Sequence, residues 1–193
     1  MIIKLIISLS NPGIKYLFTR HNIGTWYIYK IINIYKKYFK KKRNLNNFLG
    51  KITYFNNIIY LFIPNIYMNI NYLQIINIIN YYKIDISNII IIHDDLDLFP
   101  GIIKFQKNGY HGGHNGLKEF IYKIKNNNFM RIRIGIGRPK KINKISKFVL
   151  SYPLKYEKFL INTSINVLIN YTKIFFKKKD INILKKINYF KIN

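Results

Sequence analysis

The stretch Asn88-Ile89-Ile90-Ile91-Ile92-His93-Asp94-Asp95-Leu96-Asp97 decides the fold. An apolar run this short, without alternation of apolar and polar residues, reads as a buried strand. It breaks off at a histidine and three acids, so chemistry is delivered at the strand's carboxyl end, where open α/β sheets place their sites. Upstream, Ile2 to Leu9 is a second buried run, closed by the turn Ser10-Asn11-Pro12-Gly13. Between about Asn22 and Tyr38 the apolar residues Trp26, Ile28, Ile31, Ile32 and Tyr35 recur at helical spacing, and the basic run Lys40 to Arg43 reads as a solvated loop. Lys51 to Phe55 and Ile58 to Ile63 flank Asn56-Asn57 as a hairpin would. A helix follows across Tyr72 to Tyr82.

Downstream, Ile102 to Gln106 reads as a strand, Lys107 to Asn115 as a glycine-rich loop and Leu117 to Lys125 as a helix. Arg131 to Gly135 alternates basic and apolar residues, the pattern of a half-exposed strand, and Tyr156 to Phe176 and Ile181 to Phe190 read as helices. Strands alternating with helices imply an α/β domain with a largely parallel or mixed sheet. The 193 residues fit a single domain, 1–193, and 49% apolar residues suffice for its core.

With 33 Lys plus Arg against 7 Asp plus Glu, the formal charge is +26, which suggests an anionic partner such as nucleic acid. The composition is dominated by Ile, Asn, Lys, Tyr and Phe, so base-composition drift accounts for part of the lysine excess. Aromatics at 17% argue against disorder. The absence of cysteine removes disulfides, thiolate metal sites and cysteine nucleophiles, and fits a reducing, cytoplasmic setting. No signal peptide is expected in the first nine residues, which carry Lys4 and no small-residue cleavage site. The uncharged stretch Ile52 to Tyr82 is rich in amides and contains Pro64, which speaks against a membrane span.

In a chain so poor in acids and histidines, the places that keep them carry information. One cluster is Asn11-Pro12-Gly13 with Tyr16 and Thr19-Arg20-His21-Asn22, offering a hydrogen-bonding amide and, in His21, an imidazole of the kind that titrates near neutrality. A second is His93-Asp94-Asp95-Leu96-Asp97. Asp94 can orient a histidine from another loop and stabilise its cation, whereas Asp95 and Asp97 suit turns or ion pairs with the abundant lysines. The third is Gly109-Tyr110-His111-Gly112-Gly113-His114-Asn115-Gly116, where glycines let backbone approach a ligand. His111 and His114 with Asp94 raise the question of a metal. No histidine pair at helical i, i+4 spacing is present and glycines support ligands poorly, so no metal is expected.

These clusters, with Gly24, Pro64, Met68-Asn69, Pro100-Gly101, Gly116-Leu117-Lys118 and Arg131-Ile132-Arg133-Ile134-Gly135-Ile136-Gly137, occur in an order that resembles the bacterial-type peptidyl-tRNA hydrolase family over nearly the whole chain. The resemblance implies one twisted, mixed β-sheet flanked by helices in a monomer. It also implies hydrolysis of the ester joining a peptide to the terminal ribose of tRNA, with peptidyl-tRNA as partner and no metal, cofactor or membrane. It makes His21 the catalytic base, Asp94 its supporting acid and Asn11 a catalytic amide. Tyr16, Met68, Asn69, Gly113 and Asn115 become substrate contacts, with Asn69 or Asn115 donating to the carbonyl oxygen. Lys104 and Arg133 match basic positions for tRNA phosphate, and Arg131 lies two residues from Arg133 on the same strand face.

Several positions depart from the family pattern. Ser8 replaces a usual glycine, Ser10 stands where a small residue is common, and Gln106, followed by Lys107, replaces a second basic position. Tyr110 and Ile70-Asn71-Tyr72 are bulkier than expected around the cleft. A non-catalytic RNA-binding or splicing cofactor on the same fold is the alternative, and the joint presence of His21, Asp94 and Asn11 favours the enzyme.

Overall fold

The isoleucines at 89–92 form the centre of strand β5 (Ile89–Asp95), every residue of which is buried. Successive side chains on a strand point to opposite faces, so Ile90 and Ile92 join one core while Ile89 and Ile91 join the other. A computed structural model describes residues 3–41, 47–54, 57–178 and 180–189. Ile2, Lys42, Arg43, Phe55, Asn56 and Phe190, each at the margin of an expected segment, lie outside the described residues.

β5 pairs in parallel with β1 (Leu5–Ser8) on one side and β7 (Met130–Gly135) on the other. β4 (Asn57–Ile63) adds a fourth parallel strand beside β1. The edges are antiparallel: β3 (Phe48–Tyr54) and β2 (Phe39–Lys41) beyond β4, and β6 (Ile103–Lys107) beyond β7. The order is β2-β3-β4-β1-β5-β7-β6, one seven-stranded mixed sheet.

Helices cover both faces. Ile6, Ile90, Ile92, Ile132 and Ile134 pack against α1 (Ile23–Ile34) and α5 (Lys155–Lys178), where Trp26, Ile28, Ile165 and Leu168 are buried. On the other face Leu5, Ile7, Phe62, Ile89 and Ile91 meet Ile75 and Ile79 of α2 (Tyr72–Tyr81) and Leu117 and Phe120 of α3 (Asn115–Ile124). Each such isoleucine contributes about 1.5–3 kcal/mol of burial. The connections leaving β1 and β5, through α1 and α3, thus run over opposite faces, which opens a crevice at the carboxyl ends of β1 and β5. Gly24 lets α1 start directly against that end: a Cβ there would lie 2.8 Å from the Ile92 carbonyl oxygen and 2.9 Å from Ser8 Oγ. The Ser8 hydroxyl is satisfied by Thr25 Oγ1 at 3.0 Å.

Several elements differ from the sequence reading. The basic stretch from Lys40 begins as edge strand β2, with Lys40 and Lys41 paired to Lys51 and Gly50. Lysines on an edge discourage pairing with another chain, so strand and charge coexist there. α1 ends at Ile34, and Lys36–Tyr38 forms a separate 3-10 turn. β7 is buried rather than half-exposed, because the glycine-rich loop covers Arg131. The last helix is short, α6 (Asn182–Lys185), followed by a 3-10 turn at Lys186–Tyr189. One further helix, α4 (Ile145–Val149), has no counterpart in the reading, since five residues are too few to show a helical period. Among the described residues no helix is long and apolar enough to cross a membrane.

Candidate functional site

The loop after β1 presents Asn11, and a 3-10 turn at Arg20–Asn22 presents His21 immediately before α1. Asn22 locks the two segments together: its Oδ1 accepts the Asn11 backbone N–H at 2.8 Å and its Nδ2 donates to the Asn11 carbonyl at 2.9 Å. Asn11 Oδ1 in turn accepts the backbone N–H of Met68 at 2.9 Å. With its oxygen committed, the Asn11 amide has a fixed orientation and offers Nδ2 hydrogens that have no partner among the described residues.

Asp94, near the end of β5, is buried and takes two histidines on one oxygen. His21 Nδ1 donates to Asp94 Oδ1 at 2.8 Å and His114 Nε2 donates to the same atom at 3.2 Å. The backbone sets the His114 tautomer. His114 caps α3, and its Nδ1 accepts the Leu117 N–H at 3.2 Å, so the ring proton sits on Nε2, facing Asp94. His21 Nε2 is left without a protein partner among the described residues. Burial alone would raise the Asp94 carboxyl, but the two histidines, through charge and hydrogen bonding, outweigh it and hold the group well below the usual carboxylate range.

A third imidazole lies behind these two. The His93 ring stands edge-on to His114 with centroids 5.0 Å apart, and its Nδ1 donates to the Asp94 carbonyl at 2.7 Å. Burial pushes His93 down to about 3, so it stays neutral. His21, Asp94 and His114 are also the one group among the described residues whose candidate ligand atoms, all within 4.8 Å of one another, could hold a metal ion. Those same atoms are engaged in N–H···O bonds, and the Leu117 bond to His114 Nδ1 fixes a proton where a lone pair would be needed.

These groups open on a cleft of about 240 Å³. Asn11, His21, Met68, Asn69, Asp94, Gly113 and Asn115 all line it, so the three sequence clusters converge on one cavity. Tyr16 is not part of the lining. It stands edge-on to Tyr67, ring centroids 6.5 Å apart, and its carbonyl accepts the Thr19 hydroxyl in the turn that precedes His21.

The opposite wall comes from α4 and the residue after it, through Ile145, Ser146, Val149 and Leu150. Arg20, next to His21, holds that wall. Its guanidinium is buried and reaches Glu157 Oε2 at 2.5 Å, Ser151 Oγ at 2.7 Å and the Tyr152 carbonyl at 2.8 Å, and it lies 4.1 Å over the Phe148 ring.

Of the three basic residues expected at phosphate, Lys104 is exposed and pairs in register with Arg133. Arg133 is partly engaged: Nε donates to Asp95 Oδ2 at 2.6 Å and Nη1 to Gln106 Oε1 at 2.8 Å. Its Nη2 is left without a partner among the described residues. Arg131 departs from its expected role. It is only 1% exposed, lies 4.9 Å over the Phe129 ring, and gives its Nη1 to the Tyr110 carbonyl at 2.6 Å and its Nη2 to the Gly109 carbonyl. Burial, with the charge of Arg133 adding, pulls it down to about 10, so it is cationic at neutral pH. Asp95 and Asp97 do form turn and ion-pair contacts, but their partners are Arg133 and Arg138 rather than lysines.

The sequence reading missed His114 as a second donor to Asp94 and missed the Arg20–Glu157 pair. Glu157 is one of only seven acids, the same signal that drew attention to Asp94.

Comparison with known proteins bears on this arrangement. The sequence profile of the family described as peptidyl-tRNA hydrolase matches residues 5–193. A peptidyl-tRNA hydrolase of Baumannia cicadellinicola is 46% identical over 92% of this chain and 93% of its own. One from Buchnera aphidicola is 45% identical over 88% of this chain and 99% of its own. The crystal structure of the Acinetobacter baumannii peptidyl-tRNA hydrolase superposes with a TM-score of 0.90 at 32% identity, covering 98% of this chain and 96% of that one.

Proposed function

The chain belongs to the peptidyl-tRNA hydrolase family, and from that premise we propose that His21 is the general base and Asp94 the acid that orients it. The reaction is hydrolysis of the ester between the peptide and the terminal ribose of tRNA. The observation that carries the assignment is the His21 Nδ1 to Asp94 Oδ1 bond, which leaves His21 Nε2 free in the cleft beside the donor amide of Asn11.

His21 Nε2 takes a proton from water as the oxygen attacks the ester carbonyl. The negative charge of Asp94 stabilises the imidazolium so formed, and the His114 N–H holds the carboxylate in place. The Asn11 Nδ2 hydrogens receive the oxyanion; they are better preorganised than those of the exposed Asn69 and Asn115, whose side-chain amides no hydrogen bond orients among the described residues. Collapse of the tetrahedral intermediate breaks the bond to the ribose oxygen, which recovers the proton from His21. The peptide leaves as a carboxylic acid that gives its proton to water, and the tRNA leaves with a free hydroxyl. Asn69, Asn115, Gly113 and Met68 hold the substrate, and Lys104 with the free edge of Arg133 meets tRNA phosphate. Residues 1–193 act as one domain, which the single sheet supports, and as a monomer. The lack of cysteine supports a reducing, cytoplasmic setting.

The test is turnover of an N-blocked aminoacyl-tRNA by the wild type and by His21→Ala. Loss of a positioned base lowers kcat by about 10²–10⁴-fold while tRNA binding is retained. Equal activity in the variant overturns the assignment.

A further inference from the structure

We propose that Arg131 is a positioning residue for this reaction: its buried guanidinium grips the carbonyls of Gly109 and Tyr110 and so fixes the glycine-rich loop that forms one side of the cleft. The loop needs such a grip. Asn108, Gly109, Gly112 and Gly113 all have positive φ, and glycines lose the most conformational freedom on ordering. The Tyr110 side chain is 94% exposed and packs against nothing that would hold the segment.

The far end of the loop braces itself, with Gly113 N–H on His111 Nδ1 and His114 N–H on the His111 carbonyl. The near end is tied to β7 by the Asn108 N–H on the Phe129 carbonyl at 3.2 Å, and beyond it Gly109 and Tyr110 rest on Arg131. Gln106, paired with Arg131 across β6 and β7, packs beside it against Gly109: a Cβ there would lie 2.4 Å from Gln106 Nε2 and 3.8 Å from Arg131 Nη1. The loop therefore rests on Gln106 and the Arg131 fork, which suits two carbonyls as it suits two carboxylate oxygens.

The Arg131 charge has no competing use. None of the ion pairs among the described residues includes it, and so buried a guanidinium does not reach a phosphate on the surface. The loop carries Gly112 and Gly113 and leads into Asn115, all lining the cleft. His114 is secured separately by Asp94 and by α3. Loosening the loop therefore impairs substrate holding more than chemistry.

The inference rests on reading the cleft as the site of reaction, and the experiment separates the two. Arg131→Gln and Arg131→Lys are compared with wild type, Arg133→Gln and His21→Ala on N-blocked aminoacyl-tRNA, measuring kcat, KM and the dependence of KM on salt. Amide hydrogen exchange is followed over residues 109–113. Losing bonds from a charged donor raises KM about tenfold in Arg131→Gln, and lysine, which keeps charge without the fork, recovers part of it. In both variants kcat stays within about threefold, exchange in the loop quickens, and the salt dependence matches wild type. Unchanged KM in both variants overturns the proposal. So does a fall in kcat alone, which marks lost folded protein, or a salt slope reduced by about one, which marks a phosphate contact. Wild-type activity in His21→Ala would sink the reading of the cleft itself, whatever Arg131 does.

Discussion

Arg20 and Arg131 stand on either side of the cleft, both buried and both lying over a phenylalanine ring, yet they are compensated differently. Arg20 meets a carboxylate, Glu157, and adds a hydroxyl and a carbonyl from residues 151 and 152. Arg131 meets two carbonyls and no acid. The first arrangement joins a catalytic turn to a helical wall through neutralised charge. The second retains its net charge and holds only backbone, on a loop built of residues with positive φ. The difference separates a wall that is part of the folded framework from a loop whose near end one side chain grips through two carbonyls.

Breaking the wall clamp therefore has the largest effect on stability. Glu157→Leu strands the Arg20 charge and also leaves the Leu154 N–H, now 2.7 Å from Glu157 Oε2, without its acceptor. Removing one partner of a buried ion pair costs about 3–5 kcal/mol, which for a chain of this size lowers Tm by about 6–20 °C. The double variant Arg20→Leu/Glu157→Leu regains most of that loss, because an apolar pair is a tolerable replacement where a lone charge is not. Thermal unfolding of the three proteins checks both statements. A cost under about 1 kcal/mol for Glu157→Leu would mean that neutral bonds hold the wall, and the contrast with Arg131 would disappear.

The same contrast marks the limit of what was legible in the sequence. β5 and its acidic end were readable because four adjacent isoleucines need cover on both faces, and His21 and Asp94 meet because β1 and β5 are neighbours. The fate of Arg131 was not readable. Two-residue spacing places it on the same strand face as Arg133, but exposure depends on what lies over each residue, and a loop more than twenty positions upstream covers only the first. Glu157 lay between Tyr156 and Lys158 in an exposed-looking helical stretch, and its partner is 137 residues away. Packing over such separations leaves no local pattern. α4 was too short for its period to show.

Asp94 is where the two sides meet, since His21 comes from the Arg20 turn and His114 from the Arg131 loop. Asp94→Asn sharpens the comparison by removing charge while leaving Oδ1 able to accept both N–H groups. Both sides then stay in place, but the imidazolium loses its stabilisation, and kcat falls about 10²–10³-fold with little change in KM. An Arg131 variant shows the reverse split, with KM moving and kcat nearly constant. If Asp94→Asn loses less than about threefold in kcat, the carboxylate charge is not used and Asp94 serves only as a hydrogen-bond hub.

The smallest effect concerns His93, which sits under both sides without touching either clamp. Its folded-state value, lowered to about 3 by burial, lies below the ordinary 6.5. Below pH ~6.5 the unfolded chain binds a proton that the folded protein refuses, so this contribution to stability is complete above that pH and is lost as pH falls toward 3. Asp94, held below its usual range, adds stability that is present above about pH 4 and lost only below it. From pH ~6 to ~4 the His93 contribution is therefore read as the difference between wild type and a variant that cannot titrate at this position. His93→Gln keeps a donor for the Asp94 carbonyl without titrating, and denaturant unfolding of the two proteins should differ in slope by about 1.4 kcal/mol per pH unit across that interval. Parallel stability profiles would show that His93 accepts its proton in the folded protein, and the layer beneath Asp94 would then carry charge that neither arginine clamp offsets.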